Sequence, residues 1–167
     1  ASNKERSAFA LAPTLRQSLT LMGPAIATLV QPMGLAFDTK GNLFCADQEN
    51  HHVLRVSPFG ICLSQFGGWG NGPGRFQYPV SLQVDEQDNV YVVDMNNQRI
   101  QKFSSDGELL LTFGNCEEEE EQRLGIVFSS SIDNKGNLWI ADTSHHRIQI
   151  YDSNGNLTNS ITSENLK

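Results

Sequence analysis

The chain has 167 residues, 38% of them hydrophobic and 19% charged, with 14 glycines and a formal net charge of -7. That length suits one domain with a real core and is short for two, and the acidic balance speaks against general affinity for nucleic acid. The three cysteines, Cys45, Cys62 and Cys116, have neither CxxC spacing nor an even count, which fits a reduced compartment better than a disulfide framework.

Residues 1–30 read as an N-terminal arm. Within it, LRQSLTLMG at 15–23 matches the fourth strand of a unit whose other strands are missing. Pro13, Gly23 and Pro24 interrupt that pattern and leave a helical arm open. Residues 17–37 are uncharged, but two prolines and two glycines argue against a membrane-spanning helix, so no membrane partner is expected. No charged stretch followed by an apolar run marks a retained signal peptide. The compartment stays open, with cytoplasm or an organelle lumen favoured over secretion. A sequon at Asn156-Leu157-Thr158 would matter only in a secreted protein.

From residue 31 the chain repeats itself. The aspartates Asp47, Asp94 and Asp142 lie 47 and 48 residues apart, and Asn42, Asn89 and Asn137 show the same two intervals. Each unit predicts four short strands. The first ends at Asp38, Asp85 or Asp133, and a turn rich in Gly, Asp and Asn supplies the positive φ of a tight hairpin. The second strand, LFCAD, VYVVD or LWIAD, is apolar at successive positions, so it must be covered on both faces. VLRV, IQKF or IQIY follows as the third strand, and CLSQF, LLLTF or LTNSI as the fourth. Four-stranded meanders that cannot bury two apolar faces alone must stack around an axis. The fold class is therefore all-β, a β-propeller segment with repeats at 31–76, 77–125 and 126–167 in one structural domain. A β-sandwich is the alternative, though its strands would alternate more strictly.

The diagnostic run is Asp, two free positions, Asn, a variable residue, Arg and an apolar residue, seen at Asp94–Ile100. The third repeat has Asp142 to Ile148 with His145 in the Asn place, and the first has Asp47 to Val53 with His52 in the Arg place. With the glycine-rich link GGWGNGPGRF at 67–76, these units resemble NHL repeats over roughly residues 31–162. WD40 blades are the near rival, but their Trp-Asp dipeptide is absent. NHL propellers close with about six blades, whereas three repeats leave two apolar blade faces open. Completion is expected from outside, by a second copy in one shared ring or by docking within a larger assembly. A fragment of a longer ring is the plainer reading.

The histidine doublets could mark metal or acid/base chemistry. Aligned by repeat, however, His51 matches Gln98 and His146, so the doublets are one loop filled with varied polar residues. A zinc site needs three or four converging ligands. Lyase relatives of this propeller class bind zinc at the axis through histidines of several blades, which leaves His51 and His146 as weak metal candidates. Gln98 breaks the set, and no cofactor is expected. No GxSxG elbow marks a nucleophile, so the expectation is a non-enzymatic interaction scaffold. The alternatives are a metal-assisted lyase or hydrolase using the central channel of a completed ring, or an RNA-binding module, which the charge of -7 disfavours. Asp47, Asp94, Arg99, Asp142 and Arg147 are expected as structural anchors. Partner contacts are assigned to the inter-blade face, since loops on a rigid scaffold carry recognition. They comprise Trp69, Arg75, Phe76 and Tyr78 of link one, His51, Met95 and His146 of the loops, and Glu117, Glu118 and Glu119 of link two. Phe76 and Tyr78 have the competing role of plugging a blade junction. The five-carboxylate run from Glu117 to Glu121 reads as a solvated loop, an attractor for a basic partner or a weak Ca²⁺ collector.

Overall fold

The computed structural model describes residues 28–115 and 118–165. The strand expected at 15–23, together with Cys116 and Glu117, lies outside the described residues.

Among the described residues, twelve strands form three four-stranded antiparallel meanders. Blade one contains β1 (Pro32–Phe37), β2 (Leu43–Asp47), β3 (His52–Val56) and β4 (Cys62–Gly67). Blade two contains β5 (Pro79–Val84), β6 (Val90–Asp94), β7 (Arg99–Phe103) and β8 (Leu109–Phe113). Blade three contains β9 (Val127–Ile132), β10 (Leu138–Asp142), β11 (Arg147–Tyr151) and β12 (Leu157–Thr162). Two single-turn 3₁₀ helices, Met95–Asn97 and Thr143–His145, follow the anchor aspartates of blades two and three.

The hairpins are built alike. Asp38, Asp85, Asp133 and Asp152 each accept backbone N–H bonds two and four residues on and an amide N–H from Asn42, Asn89, Asn137 or Asn156. Gly41, Asp88, Gly136 and Gly155 take the left-handed conformation the turn needs. At Asp133 the Trp139 indole N–H, with Asn137, holds the carboxyl well below its ordinary value.

The strand register sorts side chains onto two faces of each blade. Phe44, Ala46 and Val53 of blade one pack against Leu82, Val90, Val92 and Phe103 of blade two. The other face of blade two carries Tyr91, Val93, Ile100 and Phe113, which meet Leu138, Ile140 and Tyr151 of blade three. The unbroken apolar run of β6 is thus explained, because its blade is covered on both sides. β1 lies against β5 and β5 against β9, and a Cβ on Gly34 would come within 2.7 Å of the Leu82 backbone nitrogen. Glycine is what lets β1 approach so closely.

Candidate functional site

Successive strands reverse direction, so the β2–β3 type loops and the inter-blade links share one end of the arc. Asp94 organises that end in blade two. Its carboxylate accepts the Gln77 backbone N–H at 2.7 Å, the Asn97 amide at 2.8 Å and Arg99 Nε at 2.8 Å. Arg99 then reaches the carbonyls of Asn71, Gly72 and Arg75 at 2.8–2.9 Å. Gln101 completes the grip, donating to the Arg75 carbonyl and accepting from Gly74 N, each at 2.8 Å. Two strand side chains therefore hold the glycine-rich link, which has no strand pairing of its own beyond the Trp69–Phe76 bridge.

Blade three repeats the device. Asp142 accepts Gly125 N and Arg147 Nε, while Arg147 donates to the carbonyls of Glu121 and Arg123 and Gln149 to that of Glu121. His145 fills the Asn97 place, its Nδ1 at 2.8 Å from Asp142. A carboxylate only accepts, so Nδ1 carries the proton and the ring serves as a turn donor.

Blade one keeps the aspartate and loses the grip. Asp47 accepts from Val30 N, Gln31 N and the Asn50 amide. His52 Nε2 stands 3.7 Å from Asp47 and is buried without a hydrogen bond, and Leu54 occupies the Gln101 position. Burial works to raise the Asp47 carboxyl, but the donors from Gln31, Val30 and Asn50 hold it below its ordinary value. Burial wins at Asp94, which is raised despite Asn97, Gln77 and Arg99.

Three rings cluster above link one. His51 Nδ1 accepts the Tyr78 backbone N–H at 3.2 Å, and the His51 ring lies edge-on to Trp69 and Tyr78 with centroids 4.8 and 5.0 Å away. His51 and Tyr78 both have left-handed φ, near 55° and 59°, so the group sits on an over-determined backbone. Trp69 is 63% exposed, and the exposed Arg75 donates to the Gly67 carbonyl at 2.7 Å. Half-buried Met95 donates its N–H to the Tyr78 carbonyl, tying blade two to the same patch.

Phe76 must be withdrawn from the surface set. Its exposure is 0%, and it fills the blade one–blade two junction, so it cannot touch a partner. Leu124 is its counterpart at the next junction, a role that sequence reasoning missed. Gln101 and Gln149 were missed too, although Arg-Ile-Gln recurs in the second and third repeats. Half-buried Glu118 and exposed Glu119 lie in link two, and exposed His146 lies in the third loop, away from the ring cluster. Among the described residues, no three His, Cys, Asp or Glu side chains are grouped so as to hold a metal ion.

Meanders stacked face to face with their first strands adjoining, and loops and links gathered at one end, are blades of a β-propeller. Residues 76–103 and 131–151 match the family model described as NHL repeat. The sequence matches no curated protein. Among solved structures, a streptogramin B lyase is similar at 13% identity and a TM-score of 0.63, over 78% of this chain and 40% of that one. Virginiamycin B lyase from Staphylococcus aureus, in a catalytically inactive form with quinupristin, is similar at 14% identity and a TM-score of 0.63, over 78% and 41%. Hydrazine synthase from Kuenenia stuttgartiensis is similar at 15% identity and a TM-score of 0.64, over 86% and 39%. These likenesses are of fold, and the chain spans about 40% of the length of those proteins.

Proposed function

We propose that this chain is an NHL-type propeller arc that acts as a protein-interaction scaffold, binding through its inter-blade end. The observation that carries this reading is the Trp69–His51–Tyr78 ring cluster. An exposed tryptophan sits on a link whose carbonyls are clamped by Arg99 and Gln101. Aromatic side chains presented on a rigid backbone lose little entropy on binding, which is how interface hot spots gain their energy. The lyase activities belong to the similar proteins. In this chain the recurring Asp–Arg pairs are spent on holding the links, which favours a binding role over catalysis. Net charge -7 and the glutamates of link two oppose RNA as the ligand.

Quantitative affinity capture with the wild-type chain, Trp69→Ala and Lys135→Ala tests the reading. Lys135 lies on a turn at the opposite end of blade three. A partner of the link face drops out with Trp69→Ala and stays with Lys135→Ala. A bound set indifferent to Trp69 sinks the proposal.

A further inference from the structure

Each internal junction is closed by one apolar residue of the link seated in the blade behind it. Phe76 is enclosed by Ala46, Val53 and Phe66, and it lies so close over Gly67 that a Cβ there would come within 2.6 Å of its ring. Leu124 is enclosed by Val93, Ile100 and Phe113 and lies over Gly114 at the same 2.6 Å. The two ends of the arc carry the separated halves of such a junction.

At the leading end, Leu29 stands 47 residues before Phe76, the spacing of the repeat, yet is 44% exposed. Its segment is set in place: Val30 N donates to Asp47 as Gln77 N does to Asp94 and Gly125 N to Asp142. At the trailing end, a shallow cavity of about 310 Å³ is lined by Ala141, Ile148, Ile161 and Thr162, with His146 and Arg147 beside them. The first four stand 95 residues after Ala46, Val53, Phe66 and Gly67. The cavity is the Phe76 socket, empty.

We propose that the trailing face of blade three is a docking site for a second copy of this chain, which inserts its Leu29 head to tail into the socket of Ala141, Ile148 and Ile161. The contact continues the junction that the molecule already makes twice within itself. A plug and a socket on opposite ends of one chain form a heterologous interface, which closes into a ring if the rotation allows and otherwise extends. One departure shapes it. Thr162 replaces the glycine beneath the plug, so the incoming side chain sits higher than Phe76 or Leu124 does.

Sedimentation of the 167-residue chain across a wide concentration range is the test. The wild type is expected to form a dimer or longer head-to-tail species. Leu29→Glu and Ile148→Glu, at exposed positions that leave the described core untouched, should each lose that species while keeping a cooperative melt. Mixing the two variants should restore a dimer, because one intact plug then meets one intact socket. Thr162→Gly should strengthen association by deepening the socket. A wild-type monomer with a cooperative melt overturns the proposal, as it would if the vacant junction belonged to further blades of a longer chain. So does association lost with Leu29→Glu alone, which would indicate face-to-face pairing of two leading ends, or a mixture that stays monomeric.

Discussion

The two faces that look toward preceding blades have the same strand pattern and opposite fates. Leu82 in β5 is 1% exposed beneath blade one, while Leu35, at the same place in β1, is 59% exposed. Val84 is partly buried where Phe37 is 68% exposed, and Phe76 is sealed where Leu29 is open. A blade sheet encodes the need for cover on both faces but not which neighbour supplies it, since hydrophobic burial is non-directional and depends on area removed from water. The anchors differ along with the faces: Arg99 and Gln101 grip the link before blade two, whereas blade one has His52 and Leu54.

Plug removal should break this comparison most visibly. Phe76→Ala empties a fully buried junction and should cost about 4 kcal/mol. Leu29→Ala should cost within about 0.5 kcal/mol when the chain is dilute enough for copies to be apart. Urea unfolding measures both. Equal costs would mean that Leu29 is buried within its own chain, and the contrast between the two ends would fall.

The clamp should come second. Arg99→Met leaves the Asp94 carboxylate without its guanidinium and strips the carbonyls of Asn71, Gly72 and Arg75 of a donor. Breaking such a buried pair should cost about 3 kcal/mol. His52→Met should change stability by less than about 1 kcal/mol, because His52 makes no hydrogen bond to lose. Amide exchange at Gly74, whose N–H is held by Gln101, should quicken in the Arg99 variant and stay unchanged in the His52 variant. A slow Gly74 amide in Arg99→Met would show that Gln101 suffices.

These contrasts bear on what could be read from sequence. The anchor aspartates, the 47- and 48-residue intervals and the doubly apolar β6 were legible because repeat spacing and strand pattern are local properties. Phe76 was legible only as one of two roles: it falls in step with Leu29 and Leu124, but whether its ring points into a junction or outward depends on the blade across from it. Gln101 and Gln149 are polar residues at buried places, and a pattern of apolar positions passes over them. Their signal lay in the comparison of Arg-Ile-Gln in repeats two and three with His-Val-Leu in repeat one. The left-handed His51, Tyr78 and Gln98 were equally hidden, since residues other than glycine seldom adopt that conformation and no glycine flags it.

The smallest effect sharpens the difference between anchors through pH. Arginine stays charged throughout the working range, so the grip of Arg99 and Arg147 on their links does not depend on pH there. His52 does. Burial pushes its imidazole below the ordinary value, against the pull of Asp47, and His51 adds to the depression. The unfolded chain takes up this proton near pH 6.5, whereas the folded chain resists until a lower pH. The unfolded state therefore binds more protons across that window, and stability rises with pH through it. The contribution is fully present above about pH 6.5 and is lost as pH falls from there through the folded value. Urea midpoints at neutral and mildly acidic pH, for wild type and His52→Met, isolate the effect. The wild type should lose under about 1 kcal/mol more than the variant between the two conditions. An identical loss in both would mean that His52 titrates alike in folded and unfolded chains. In that case the ring in blade one would be solvated, and the leading end would lack the buried neutral anchor that separates it from the two clamps behind it.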